Sequence, residues 1–458
     1  MSVPLTSIMI SIRKAANQND RLIQMSQQLL EKLNITNTQN LYLSLGKTIV
    51  STNIQTMAMA ENEIILPENI TRSLHLPNQR YKFQAIYRSN THTLKLGPVI
   101  ALLTNFHINN EDPHFRTVHK FCEELHQVIS KNGGFFYVFS YKDFSTKGFF
   151  FQNEKWIPAE LPLPDVIYNR IHSRQLEQKI KYKQFRQQLE LLMIPLFNDR
   201  FLSKLEVYEH LKKEVSLFSA IPETKIFSKE NLYEFVQKYD TVFIKPIHGS
   251  QGKNILKISK HKDNSYFVQS SVKTGKEPFE KPFFLEELYQ RLKPELQNRI
   301  YIIQQGVSLI TKDLRPMDFR VLCHKHQPTR WEITSIIARV GAEQEIVSNL
   351  ARGGTIMRPL EALINVMDIQ KAKECLAQMK QLALEIAAGI STHSAGIIAE
   401  LGIDIGVDSE GKPWLIEVNS KPSKSFTETQ GKVRPSARAI VQFCTVLAFD
   451  ENTEREIG

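Results

Sequence analysis

The sequence predicts an α+β protein, built as a small mostly-β unit over residues 1–95, an α/β unit over 97–198 and a larger mixed unit over 199–450. Three observations carry this. Near the start, LYLSLGKTIVST and RYKFQAIYRSNTHTLKLG alternate polar and β-prone residues, as half-buried strands do. From Gly97 an apolar strand, an amphipathic helix and a second strand follow in turn, the order of a parallel layer. From about residue 199, strand and helix patterns intermix with no repeat.

In chain order, RLIQMSQQLLEKL spaces Leu, Ile and Met by three and four, which predicts a helix in the first unit. No chemistry attaches to that unit. GPVIALLTNF reads as a buried strand and its loop, and VHKFCEELHQVISKNGG as a helix closed by Gly133 and Gly134 at its C-cap. GFFYVFSY and LPLPDVIYNRI add strands. Next come the helix KLEVYEHLKK, the short strand TKIF, and the helix SKENLYEFVQKY with Ser228 as N-cap and Asn231 at N3. Strands are predicted at TVFIKPI, RIYIIQQGV, DFRVLCHK, RWEITSIIARV, IAELGIDIGVD and PWLIEVN, with a long helix at DIQKAKECLAQMKQLALEIAAGIS.

The composition, 42% hydrophobic and 23% charged over 458 residues, is that of an ordinary globular chain with room for a substantial core. A net charge of +10 favours anionic partners without selecting among nucleotides, acidic polymers, nucleic acid or anionic membrane surfaces. Without zinc-finger spacing or an aromatic-basic RNA signature, nucleic acid is the weaker expectation. Cys122, Cys323, Cys375 and Cys444 are far apart and suggest neither a disulfide framework nor a zinc site. No run of 18 apolar residues predicts a membrane span, and the first residues lack a secretory pattern, so a cytoplasmic protein is expected.

Five segments hold candidate chemistry. VFIKPIHGSQGKNILKI places Lys245 on a strand before a loop with Gly249, Ser250, Gln251 and Gly252. Such a loop offers backbone N–H groups to phosphates, although it is no Walker loop, and a plain hairpin with a solvated lysine fits equally well. GIDIGVDSEGKPWLIEVNSKP places Glu417 and Asn419 on one face of a strand and Asp404 on its partner, oxygen donors that suit Mg²⁺. Glu417 follows Trp414, Leu415 and Ile416, where a burial-seeking strand would carry an apolar residue; if buried it needs a metal or a cation as partner, and a hairpin with solvated acids is the plainer alternative. Asp318 and Arg320 share a strand face in DFRVLCHK and would form an ion pair in the simplest reading. ARVGAEQEIVSNLARGGTI brings Arg339, Asn349, Arg352 and the pair Gly353–Gly354, an arginine-bearing stretch able to stabilise a transferring phosphoryl group. Lys204 opens a helix, where a cation is not the natural choice, although a solvated lysine is the usual explanation and Lys212 competes with it.

Taken in order, these segments resemble the ATP-grasp superfamily. Within it, FNDRFLSKLEVYEHL, IPET, FIKPIHGSQGKNI, YIIQQGV, DFRVLCHK and IEVNSKPSK resemble the YheC/YheD group of endospore coat-associated proteins of Bacilli. The match runs from about 197 to 423, and the N-terminal β unit lies outside it. The resemblance implies an ATP-grasp fold, two α+β subdomains clasping ATP, preceded by an α/β pre-ATP-grasp domain. It assigns Lys204 and Lys245 to the phosphates, and Gly249 to Gly252 to the loop that closes over them. Gln304, Gln305, Gly306 and Val307 fall on the hinge that reads adenine, with Gln305 where many relatives have glutamate. By the same resemblance Arg339 matches the position that faces the γ-phosphate, Asn349 matches one near the transferring group, and Asp404, Glu417 and Asn419 match the Mg²⁺ ligands; Arg339, Arg320 and Asn349 are the expected catalytic residues.

The implied chemistry joins a carboxylic acid to an amine. ATP phosphorylates the acid, ADP leaves, and an amine displaces phosphate from the acyl phosphate. Positioning and charge neutralisation carry such a reaction, which needs no side-chain nucleophile. An acidic amino acid or peptide suits the basic balance, and the resemblance also allows association with spore coat proteins. A catalytically silent ATP-binding coat protein is the alternative.

Overall fold

The computed structural model describes residues 4–109, 112–249, 252–271, 282–296, 299–342, 353–424 and 432–450. Its strands form a closed barrel and three larger sheets, with one two-stranded ribbon at His107–His114.

The barrel has seven strands drawn from Thr6–Gly97. Its inward side chains, among them Ile8, Ile10, Leu43, Ile64, Leu66, Phe83 and Leu94, are buried by period-two alternation. The helix expected at RLIQMSQQLLEKL is corrected here. Leu22–Met25 is a barrel strand, and only Gln27–Lys32 is helical. Ile23 and Met25 are both fully buried two residues apart, so strand periodicity wins locally, and the Ser26 side chain caps the helix by accepting from the Leu29 N–H.

A six-stranded sheet follows, with the parallel strands Phe135–Phe139, Val99–Leu103, Val166–Asn169 and Leu196–Phe197 neighbours in that order. The helix His119–Asn132 covers it and ends at Gly133, whose φ of 95° favours glycine. The same face is covered by Pro435–Phe449, the last described helix, whose Phe443, Ile440 and Cys444 join Phe121, Phe136 and Tyr168 in one core. Phe197 is sandwiched there, stacked on Tyr168 at 4.6 Å and edge-on to Phe443 at 5.4 Å.

The remaining strands form two antiparallel sheets. A five-stranded sheet runs in the order Thr224–Ile226, Tyr301–Gln305, Thr241–Pro246, Leu256–Lys260, Tyr266–Ser270. Its core takes in helices Lys229–Lys238 and Leu285–Leu292, through Leu232, Phe235, Leu288 and Leu292. The other runs Thr355–Met357, Arg330–Val340, Arg315–Gln327, Glu400–Val407, Pro413–Asn419 and rests on the long helix Ile369–His393. Asp368 caps that helix, and Ala383, Ile386, Ala387 and Ile390 form its buried face. Among the described residues no helix is long and apolar enough to cross a membrane.

The α/β sheet and the last sheet are locked together at Glu400, which is fully buried. Its carboxylate accepts from Tyr168 and Lys424, from Arg170 Nη1 at 3.1 Å, and meets His324 Nε2 at 2.9 Å. Burial alone would raise its pKa, but Lys424, His324 and Arg170 outweigh burial and hold it well below the usual carboxylate range. Asn198 adds a second clasp, donating to the Glu400 carbonyl at 2.7 Å and accepting from the Ala399 and Glu400 N–H groups.

Phe197→Ala removes the ring between Tyr168 and Phe443 and is expected to cost about 3–5 kcal/mol. The check is a lowered unfolding midpoint in denaturant, read by fluorescence.

Candidate functional site

An open cleft of about 710 Å³ lies between the five-stranded sheet and the Asp404–Glu417 end of the last sheet. Lys204 enters it from the first turn of helix Lys204–Leu211. That turn is fixed by a capping box, the Ser203 side chain accepting from Glu206 N–H and the Glu206 side chain accepting from Ser203 N–H. A helix N-terminus disfavours a cation, and the compensation is direct: Lys204 Nζ lies 2.7 Å from Glu417 Oε1 and 3.3 Å from the Gly249 carbonyl. Glu417 thus has the cationic partner that its apolar strand context demanded. Lys212 caps the far end of that helix and takes no part in lining the cleft.

Lys245 projects from Thr241–Pro246 and donates to Gln304 Oε1 at 2.6 Å across the neighbouring strand, with its ammonium 5.3 Å from the Phe243 ring centroid. Gln304 in turn donates to Thr224 Oγ1 at 2.9 Å, which fixes its amide. Burial brings the Lys245 pKa down to about 8; nearby Lys204 adds to this and Glu417 opposes it.

The opposite wall is a carboxylate–guanidinium lattice. Asp404 pairs with Arg320, whose Nη2 lies 2.8 Å from Oδ2, and with Arg339 at 3.1 Å. Arg339 also grips Asp318 through two 2.6 Å bonds. The simple pair of Asp318 with Arg320 on one strand is therefore not formed; each finds its partner on a neighbouring strand, where opposite residues lie closest. Burial would raise Asp404, but Arg320 and Arg339 overcome it and keep the carboxyl ionised. Burial likewise works against a charged Arg339, and Asp404 and Asp318 more than restore it. Asp404 faces Glu417 directly across the strands, and Asn419 Nδ2 sits 3.5 Å from Asp404 Oδ2.

Of the residues singled out from sequence, Lys204, Lys245, Gly249, Gly252, Gln304, Gln305, Val307, Arg320, Arg339, Asp404, Glu417 and Asn419 all line this cleft. Gly306 stands behind it, its N–H donating to the Thr241 carbonyl at 2.8 Å, where an added Cβ would come within 2.6 Å of Thr241. That amide is committed to the sheet, so a hinge contact passes to its neighbours. Ser250, Gln251, Asn349 and Arg352 lie outside the described residues. Asp318, Arg170, His172, Lys421 and Ser423 also line the cleft and were not assigned to it. Arg170 and His172 directly follow the parallel strand Val166–Asn169, and the carboxyl ends of such strands are where α/β sheets bind ligands, a signal present in VIYNRIH.

Residues 193–447 match the family model described as "YheC/D like ATP-grasp". The chain is 27% identical over 399 residues to the endospore coat-associated protein YheD of Bacillus subtilis (strain 168), covering 84% of this chain and 85% of that one. It is 22% identical over 271 residues to the endospore coat-associated protein YheC of the same organism, covering 59% and 73%. Among solved structures it is similar to the D-alanine-D-alanine ligase from Coxiella burnetii, at 13% identity and a TM-score of 0.45, covering 78% of this chain and 97% of that one.

Because Lys245 loses its proton near pH 8, well below the ordinary 10.5, pyrophosphate binding in this cleft should weaken as pH rises above about 8. Lys245→Arg should flatten that fall between about pH 8 and 10, because a guanidinium stays charged there, and isothermal calorimetry across the range checks it.

Proposed function

The chain belongs to the YheC/D-like ATP-grasp family, and from that premise we propose that it is a Mg-ATP-dependent carboxylate–amine ligase, ADP-forming, that works through an acyl phosphate. The observation that carries the reading is the convergence of Lys204 and Lys245 from one side with Arg320, Arg339, Asp404 and Glu417 from the other in a single cleft.

In this reading Lys204 and Lys245 bind the phosphates, and Gln305 and Val307 line the adenine end. Gly249 and Gly252 belong to the loop over the phosphates, together with Ser250 and Gln251. Asp404 and Glu417 bring carboxylate oxygens from adjacent strands and Asn419 a side-chain amide oxygen, donor types that fit Mg²⁺; to hold it, Glu417 would exchange its Lys204 contact for the metal and the Asn419 amide would turn its oxygen inward. When bound, the metal would supply charge neutralisation at the phosphate oxygens. Arg339 is fixed by two carboxylates with its planar group in the cleft, so it would meet the γ-phosphate without reorganising, with Arg320 alongside and Asn349 near the transferring group.

The acid's carboxylate oxygen attacks the γ-phosphorus and the bond to the bridging oxygen breaks, releasing ADP. The amine nitrogen then attacks the acyl carbon, phosphate leaves with the bonding pair, and the amine loses its proton. Excluding water from the cleft protects the acyl phosphate between the two steps.

The names of the two curated relatives favour a second reading, an ATP-binding protein of the forming spore coat without turnover. One experiment separates the two. Purified protein is incubated with Mg-ATP, hydroxylamine and pooled amino acids, cell-wall peptides and organic acids, and ADP, AMP and hydroxamate are followed together. The ligase gives ADP and a hydroxamate that depends on one acid; AMP would overturn the acyl-phosphate route, and binding without turnover on every pool would favour the coat protein. Lys245→Ala and Glu417→Ala should each lower turnover by about 100-fold or more while the protein stays folded, measured as kcat/KM beside a thermal melt.

A further inference from the structure

The cleft has an end lined by residues to which the ligase reading gives no nucleotide or metal role. Its wall is made by Arg170 and His172, by Thr117 just before helix His119–Asn132, and by Lys421 and Ser423 just after the Glu417 strand. Arg170 has a side chain only 2% exposed. Its Nη1 lies 3.1 Å from Glu400 and its Nη2 donates to the Pro422 carbonyl at 2.7 Å, yet its Nε has no partner among the described residues. Lys421 is equally enclosed and pairs with Glu177. Glu400 is shared between Arg170 and Lys424, so one carboxylate stands against two buried cations and this wall keeps a net positive charge.

His172 lies within that field. Its Nε2 is buried without a partner among the described residues. Burial first, then the charges of Arg170, Arg116 and Lys421, bring its pKa to about 4, so the ring is neutral at physiological pH. A neutral imidazole keeps one N–H to donate. A buried guanidinium with an unused N–H, a second buried cation and a neutral donor together make an anion site, since buried donors of this kind are costly to leave unmatched.

We propose that this end of the cleft binds a second anionic group of the acid substrate, so that the substrate is a dicarboxylate-class acid, one carboxylate toward Arg339 and the other among Arg170, His172 and Lys421. Naming the Arg339 end as the reacting one rests on the ligase reading. The anion site itself rests on the wall just described. A neutral or cationic group there would lose its water to a surplus of positive charge and gain no partner.

The test is calorimetry on the full chain at pH 7 with glutarate and butyrate as probes, each with and without saturating ADP. Glutarate should bind at least about tenfold more tightly than butyrate, and ADP should not displace it. His172→Ala should weaken glutarate about tenfold, His172→Gln should recover most of that, and both should leave ADP affinity unchanged. Equal binding of the two probes, no binding of glutarate, displacement of glutarate by ADP, or an unchanged His172→Ala would each overturn the proposal. Glutarate binding that depends on His172, in a protein that forms no ADP with any acid, would uphold the anion site and defeat the ligase reading alone. Hydroxamate formed from monocarboxylic acids and indifferent to His172 would do the reverse.

Discussion

An ionised carboxylate cannot be taken out of water without partners, and Glu400 has been taken out entirely. Its four partners come from three places: the α/β strand Val166–Asn169 and the residue after it, the strand Arg315–Gln327, and the segment after the Glu417 strand. Removing one partner from such a group strands the rest, so the set is retained or lost together. That requirement ties the α/β layer to the last sheet, and with it the Arg170 end of the cleft to the segment after the Glu417 strand. The segment from Ser420 to Lys424, which continues directly from Glu417 and Asn419, is anchored at Pro422 by Arg170 and at Lys424 by Glu400.

The cleft walls use opposite electrostatic designs. On the side of the five-stranded sheet, Lys245 rests on a neutral amide, Gln304, and its charge is weakly held. On the facing sheet, Arg320 and Arg339 are held by Asp404 and Asp318, and those two carboxylates push the Arg339 pKa up against the effect of burial. One wall therefore answers to pH while the other provides a fixed frame.

Much of this was legible in the sequence, for a physical reason. Glu417 interrupts an apolar strand pattern, and a charge where burial is expected announces a partner, while Asn419 and Asp404 followed from which residues share a strand face. Lys204, a cation at a helix start, was a weaker signal, since a solvated lysine explains such a position equally well. The Leu22–Met25 strand was misread because four residues of Leu, Ile and Met spacing suit either period, and only closure of the barrel decides between them. Arg170 and His172 carry one local signal, their place at the carboxyl end of a predicted strand in VIYNRIH, but nothing in that segment names their partners. The Arg170 bond to Pro422 joins residues about 250 positions apart in the chain, and no local window contains that pairing.

The last described helix, Pro435–Phe449, has a consequence for how the protein is made. It covers Phe121, Phe136, Tyr168 and Phe197, which belong to a layer built from residues some three hundred positions earlier. On the ribosome, that apolar face emerges long before its cover exists. At about 5–20 residues per second the interval lasts on the order of tens of seconds. Throughout it, the nascent layer exposes aromatic surface of the kind that recruits chaperones or sticks to neighbouring chains. The arrival of this helix thus also sets how long that face stays uncovered in each new molecule.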